Sequence, residues 1–443
     1  MAELVIRGGM AVTVGALGTA VMDLAIDGGR ITAIGSDVGR GDEEVDARGC
    51  LVMPGLVQAH VHLCQTLFRG LADDLDVMDW LREWIWPLES AHDSASMAAS
   101  CRLGLAELLR SGTTTVVSME TLRHADRSFE AASDLGARAF IGKALMDRTE
   151  PGTEMEGEET GAAIADLERL IGRWDGAAGG RLRVAVSPRG PRNATPELWR
   201  AAVDLAEAND LVLHTHVNEN RAQADRLGRS SEGRDVVALD GWGALGPRMI
   251  MAHCVWLDER ERRLLRGRRA HVCHCPSANL KLASGIAPIP EYLAAGVNVA
   301  LGADGAACNN HLDAFAEMRQ AALVHKPRCG PRAMPARTVL ELATMGGARA
   351  VSLADEIGSL EVGKQADIVV VRRDGPGAGP AAGGDPADAL VYAHTGRDVD
   401  TVTVGGRVVV RDGVLLSGDG EAIRREAEVQ RRALLERAGR WPA

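Results

Sequence analysis

The sequence predicts an α/β protein: a (β/α)8 TIM barrel with a small β-sandwich built from both chain ends. Three observations predict it. Between Leu51 and Asp304, short apolar β-branched runs alternate with longer amphipathic segments, the pattern of strands and crossover helices around a parallel sheet. Eight such runs occur, the number that closes a barrel. Further strand-like runs lie near both termini, outside the alternating region, and 443 residues exceed a single ordinary core.

The segment from Met1 to Gly29 is broken by Glu3, Arg7 and repeated glycines and lacks a basic stretch ahead of an apolar one. Strands are expected there, not an export signal. Leu4-Val5-Ile6 and Arg30-Ile31-Thr32-Ala33-Ile34 are the candidates. The first barrel run is Leu51-Val52-Met53-Pro54-Gly55-Leu56-Val57. The other seven begin at Thr113, Arg138, Leu182, Leu211, Met249, His271 and Val297. Helices are expected between them, as in Ser94 to Leu109 and Pro196 to Asn209. Past the barrel, Ala366 to Val371 and Val402 to Val410 read as strands that join the N-terminal ones. Gly375 to Gly384 reads as an exposed loop, and Glu421 to Arg437 as a terminal helix. The expected domains are residues 1–53 with 358–416 as the composite sandwich, 54–357 as the barrel, and 417–443 as the C-terminal helix.

A net charge of −11 disfavours nucleic acid and anionic membrane surfaces, where clustered Lys and Arg are rewarded. No uncharged apolar run approaches the ~18 residues a membrane helix needs. Eight cysteines show no disulfide framework, so reduced thiols, a soluble cytoplasmic protein and a small-molecule substrate are expected. Homo-oligomerisation is the general expectation for such a chain.

Metal-binding side chains fall at the ends of predicted strands one, five, six and eight: His60 and His62, His216, His253, and Asp304. In barrels of this kind the chemistry sits at the carboxyl ends of the strands. A lone buried histidine more often satisfies a core hydrogen bond, but four at strand ends argue for a metal-activated water, hence hydrolysis. His214 shares the strand face of His216 and is read as either a support for the ligands or core. His271-Val272-Cys273-His274-Cys275 looks like a zinc knuckle, but neighbouring strand residues point to opposite faces and no partner CxxC exists. Neither His271 nor His274 is counted as a ligand.

Pro54-Gly55-Leu56-Val57-Gln58-Ala59-His60-Val61-His62 resembles the opening of the amidohydrolase superfamily. His216-Val217-Asn218-Glu219 resembles the HxxE of its aminohydrolase branch, Ala252-His253-Cys254 its strand-six histidine, and Leu301-Gly302-Ala303-Asp304-Gly305 its strand-eight aspartate. Gly358 to Asp367 is similar to the return into the small β domain, so the likeness spans nearly the whole chain. Thr66 to Asp74, followed by Met78-Asp79-Trp80-Leu81, is similar to deaminases of adenosine-type compounds, guanine and 8-oxoguanine deaminases, and triazine hydrolases. Ser187-Pro188-Arg189-Gly190 departs from the His-containing version associated with S-adenosylhomocysteine deaminases.

The resemblance implies one divalent ion, Zn2+ or alternatively Fe2+, held by His60, His62, His216 and Asp304. It further implies that Asp304 takes a proton from the attacking water, Glu219 protonates the ring nitrogen, and His253 steadies the oxygen. The implied reaction releases ammonia from an aminated purine or a 5′-modified adenosine. Hydrolysis of a substituted triazine or another C–N or C–halogen bond is the alternative, and a non-catalytic scaffold of the same fold is the third reading. Trp80, Leu81, Trp84, Ile85 and Leu88 have the spacing of one apolar helix face, for which core packing is the first reading; the second is a lid in the first loop, where Trp80, Trp84 and Trp86 stack on a flat heterocycle, and Trp256 follows His253. Arg148 and Arg189 stand near the ends of strands three and four and suit recognition of oxygen atoms or an anionic substituent, with a surface salt bridge as the equal alternative. Trp80, Trp84, Arg148, Arg189 and Trp256 are therefore the candidate substrate contacts.

Overall fold

The computed structural model describes residues 1–148, 157–227, 234–375 and 384–440. Eight parallel strands form the barrel: Leu56–His62, Thr113–Met119, Arg138–Gly142, Leu182–Pro188, Val212–Val217, Met249–His253, His271–His274 and Asn298–Leu301. Strand four pairs with strand five at Ala185 and Val212, and strand eight pairs with strand one at Leu301 and Gln58, so the ring is closed. Side chains alternate as the two-residue strand period requires. Val117, Phe140, Ala185, Val212, Ile250, Cys273 and Ala300 share one cluster, and their neighbours Val116, Ile141, Val184, Leu213, Met251, Val272 and Val299 belong to another that includes the outer helices. His214 and His216 lie at two-residue steps from Val212 and so share its face.

The first predicted run divides at Gly55. Leu56–His62 enters the barrel, whereas Leu51–Pro54 belongs to the other sheet. A Cβ at Gly55 would sit 2.1 Å from the Thr114 hydroxyl, so only glycine lets the chain pass from one sheet to the other at this point. The second sheet has nine strands in one hydrogen-bonded system, with Leu51–Pro54 antiparallel to Ile368–Val371 as the seam between the two chain ends. The run from Val402 to Val410 is a hairpin rather than one strand. It turns at Gly405 and Gly406, with φ of 53° and 76°, between Val399–Val404 and Arg407–Arg411. A buried ion pair ties barrel to sheet: Arg138, at the start of strand three, donates to both carboxylate oxygens of Asp367 at 3.1 Å.

The helix Ser94–Arg110 starts with a capping box at Asp93 and Ser96, and the C-terminal helix Gly420–Arg437 packs along it. Of the predicted loop from Gly375 to Gly384, residues 376–383 lie outside those described. Among the described residues no helix is long and apolar enough to cross a membrane.

Candidate active site

Strand ends place the chemistry. His60 and His62 lie on strand one, His216 on strand five, His253 ends strand six, and Asp304 forms a short bridge to strand one beyond strand eight, pairing with Val61. Three residues here adopt left-handed backbone: Asn218 (φ 42°), His253 (φ 73°) and Asp304 (φ 64°). Such strain in non-glycine residues persists where the surroundings over-determine it, as at functional sites.

Each imidazole is held through Nδ1. His62 Nδ1 lies 2.7 Å from the Met119 carbonyl and His216 Nδ1 2.7 Å from the Arg189 carbonyl. A carbonyl only accepts, so both Nδ1 atoms carry the proton. His253 Nδ1 donates to Asn279 Oδ1 at 2.9 Å, and His60 Nδ1 sits 2.7 Å from His214 Nε2. Burial disfavours the charged imidazole: it lowers His60 to about 4 and depresses His62, His214 and His216. The Nε2 atoms of the neutral His60, His62 and His216 rings are therefore bare acceptors.

They converge all the same. His62 and His216 Nε2 face each other at 3.2 Å, and Asp304 Oδ1 lies 3.2 Å from His60 Nε2 and 3.3 Å from His62 Nε2. His60 Nε2 and His253 Nε2 are buried with no hydrogen-bond partner. Lone pairs forced this close repel one another unless a cation lies among them, and separations near ~3.3 Å are those of ligands around a tetrahedral ion at ~2.0–2.1 Å. Burial opposes ionisation of Asp304; positive charge at the positions of His60, His253 and His62 holds the carboxyl below its usual range, the part a bound cation plays when the rings are neutral. Two overlapping ligand sets result, His60, His62, Asp304 and His60, His216, His253. The donor set of imidazole and carboxylate fits a divalent transition ion.

Glu219 stands beside the cluster, its Oε2 3.9 Å from His253 Nε2, while the Ser284 hydroxyl donates to Oε1 at 3.1 Å. Burial raises its pKa. A cavity opens over the cluster. Val77, Trp80, Leu81 and Trp86 give it an apolar side; Gln65, Arg189, Arg192, Asn193, Asn218 and Asp235 give it a polar one.

The candidate contacts separate here. Trp80 and Arg189 line the cavity. The Arg189 guanidinium is buried and donates to Glu89 at 2.6 Å, and Gln65 also donates to Glu89 at 2.9 Å. Trp84, Arg148 and Trp256 are not among the lining residues. Trp84 lies under Arg440 of the C-terminal segment, 4.6 Å from the guanidinium carbon to the ring centroid. Trp256 turns away to donate to the Ser284 carbonyl at 2.6 Å. The backbone of Arg148 donates to the Asn193 carbonyl. The polar lining residues that sequence reasoning missed are Gln65, Arg192, Asn193, Asn218 and Asp235. Only Asn218 had a signal, its place inside the His216 to Glu219 motif.

Residues 51–409 match the amidohydrolase family, and the chain belongs to it. It is a hydrolase of carbon–nitrogen bonds other than peptide bonds. The chain is 42% identical over 401 residues to a 5-methylthioadenosine/S-adenosylhomocysteine deaminase of Syntrophobacter fumaroxidans, covering 89% of each. It is 39% identical over 393 residues to a 5′-deoxyadenosine deaminase of Methanothermobacter thermautotrophicus, covering 88% of this chain and 89% of that one. A zinc-bound adenosine deaminase of Xanthomonas campestris superimposes with a TM-score of 0.91 at 32% identity, over 98% of this chain and 99% of the other. The zinc complex of an atrazine chlorohydrolase from Arthrobacter aurescens gives a TM-score of 0.89 at 27% identity, over 97% and 100%.

Proposed function

We propose that this chain is a hydrolytic deaminase that releases ammonia from the purine ring of a 5′-modified adenosine. The observation that carries the reading is the set of bare Nε2 atoms and Asp304 converging beside Glu219 at the floor of an open cavity. The deaminase names of the two relatives support it, and zinc in both solved neighbours supports zinc as the ion. The 27% identity to the atrazine enzyme gives triazine hydrolysis less support. Eight free cysteines fit a reducing cytoplasm.

His60, His62, His216 and Asp304 would hold the ion. When bound, it supplies the positive charge that makes water nucleophilic near neutral pH. The protein's own groups do the rest. The second oxygen of Asp304 accepts a proton from the attacking water. His253, its Nδ1–H fixed by Asn279, presents Nε2 as an acceptor that orients that water. Glu219, whose burial favours the protonated form, delivers its proton to the ring nitrogen; the proton held by Asp304 passes to the amino group, which departs as ammonia, and the new hydroxyl returns its proton to Glu219 as it becomes the carbonyl. Trp80 and Trp86 offer flat apolar surface to the purine.

The test is ammonia release by zinc-loaded protein from 5′-deoxyadenosine, 5′-methylthioadenosine, S-adenosylhomocysteine, adenosine, guanine and aminotriazines. Release from the adenosine series, lost in His216→Ala, is expected. Glu219→Gln should keep its metal and lose about 10²–10⁴-fold in kcat. Turnover of aminotriazines alone overturns the purine reading.

A further inference from the structure

The turn that ends strand five decides where Glu219 stands. His216 and Glu219 are three residues apart, and on a continued strand an odd spacing puts side chains on opposite faces. The strand stops at Val217 instead, and Asn218, with φ 42°, takes left-handed backbone. Glu219 thereby reaches the cavity that His216 also lines, with its Oε2 3.9 Å from His253 Nε2. A left-handed residue other than glycine persists where its surroundings fix it. Asn218 is fixed three times: its N–H donates to Asp235 Oδ2 at 2.7 Å, its carbonyl accepts the Trp256 N–H at 3.1 Å, and its Nδ2 donates to Glu261 Oε1 at 2.7 Å. Glycine would suit the backbone as well but would lack the third hold. Glu261 is fully buried in the first turn of the helix Glu259–Arg268 and is not among the residues that line the cavity. Its oxygens also accept from the Val236 N–H at 3.2 Å, Arg234 Nε at 2.8 Å and the Asp258 N–H at 2.9 Å. Four donors on one carboxylate fix its position, and the Asn218 amide is anchored to it.

We propose that Glu261 is a positioning residue for the deamination: through the Asn218 side chain it locks the turn that aims the Glu219 carboxyl at the ring nitrogen. The inference rests on the acid role given to Glu219 above. It gives a residue outside the cavity a part in kcat, and it gives the third position of the His216 to Glu219 motif a reason to be asparagine.

The experiment measures KM, and kcat per bound zinc, on the best substrate of the adenosine series. The variants are Asn218→Asp, Asn218→Asp with Glu261→Gln, and Asn218→Asp with Glu219→Gln. Asn218→Asp sets one carboxylate against another. It should lose about 10–100-fold in kcat per zinc, the scale for a catalytic group displaced by ~1 Å, with KM within about threefold of wild type. Adding Glu261→Gln lets an amide donate to the introduced carboxylate and should recover most of the loss. Beside Glu219→Gln, the same Asn218→Asp should cost less than about threefold further, because the group it displaces no longer acts. A turn needed only for folding or for zinc would lower yield or zinc content and leave kcat per zinc unchanged. That outcome overturns the proposal, as does a loss that Glu261→Gln fails to recover or that persists in full beside Glu219→Gln. If Asn218→Asp does not accumulate, Asn218→Gly, which suits the left-handed backbone and removes only the side chain, is read against Glu219→Gln in the same way. In each of these cases the deaminase reading stands. No turnover of any adenosine derivative by zinc-loaded wild type overturns both.

Discussion

His214 shows how far a single side chain can be read. Its sequence position gave two readings, and the 2.7 Å approach of its Nε2 to His60 Nδ1 distinguishes them: it is the acceptor that fixes the ring of His60. Partners of this kind typically contribute ~10–100-fold to metal affinity. His214→Phe should weaken zinc binding by about that factor in competition with a chelator, with His214→Gln recovering part of it. Wild-type affinity in the phenylalanine variant would reduce His214 to packing. The proposed ligand residues were legible because imidazole and carboxylate at strand ends are rare in a core. Asp235 was not, because it lies 16 residues past Glu219 and nothing local ties it to the motif. Trp84 misled because helical spacing does not say which neighbour covers the outer face, and here Arg440 does.

Among elements, the end of strand eight is closely constrained. A Cβ on Gly302 would lie 2.6 Å from the His60 carbonyl oxygen, 2.8 Å from Cys273 Sγ and 2.9 Å from the His60 nitrogen. Gly302→Ala must therefore push strand eight away from strand one and carry Asp304 with it. A loss of about 1–3 kcal/mol in stability is expected, with reduced zinc stoichiometry by elemental analysis. A variant that retains full metal and wild-type stability would show slack at the closure. Seven of the barrel strands were readable to within about two or three residues at each end, since β-branched runs bounded by turns leave little freedom. The first was not. A continuous apolar run from Leu51 to Val57 hides the handover between two sheets, and only the collision of a Gly55 Cβ with Thr114 reveals it. The Val402 to Val410 run concealed a turn for the opposite reason, because its Gly405-Gly406 pair was there to be weighed and the valines outweighed it.

For the whole molecule, the barrel and the terminal sheet meet through the buried Arg138–Asp367 pair, with side chains 7% and 2% exposed. Asp367→Ala leaves the guanidinium without its partner in the interior and should cost about 3–5 kcal/mol, read as a shift in the urea midpoint. An unchanged midpoint would mean that the interface does not depend on it. Stability should also depend on pH. Burial raises Glu317 and Glu120 from 4.5 to about 7. Between those values the folded chain holds protons that the unfolded chain has released, so stability falls as pH rises through that window. Glu317→Gln removes one such group, and the slope of unfolding free energy between about pH 5 and about pH 7 should become less steep, by at most ~1.4 kcal/mol per unit. Identical slopes would remove Glu317 from the account.

The seam between Leu51–Pro54 and Ile368–Val371 also has a consequence for biosynthesis. The first five strands of the terminal sheet leave the ribosome with one hydrogen-bonding edge open, and the strand that covers it follows roughly 300 residues later, a delay of about 15–60 s at ~5–20 residues per second. During that interval the nascent chain presents an apolar edge beside a growing barrel. This is the stretch of synthesis in which a chaperone would matter most.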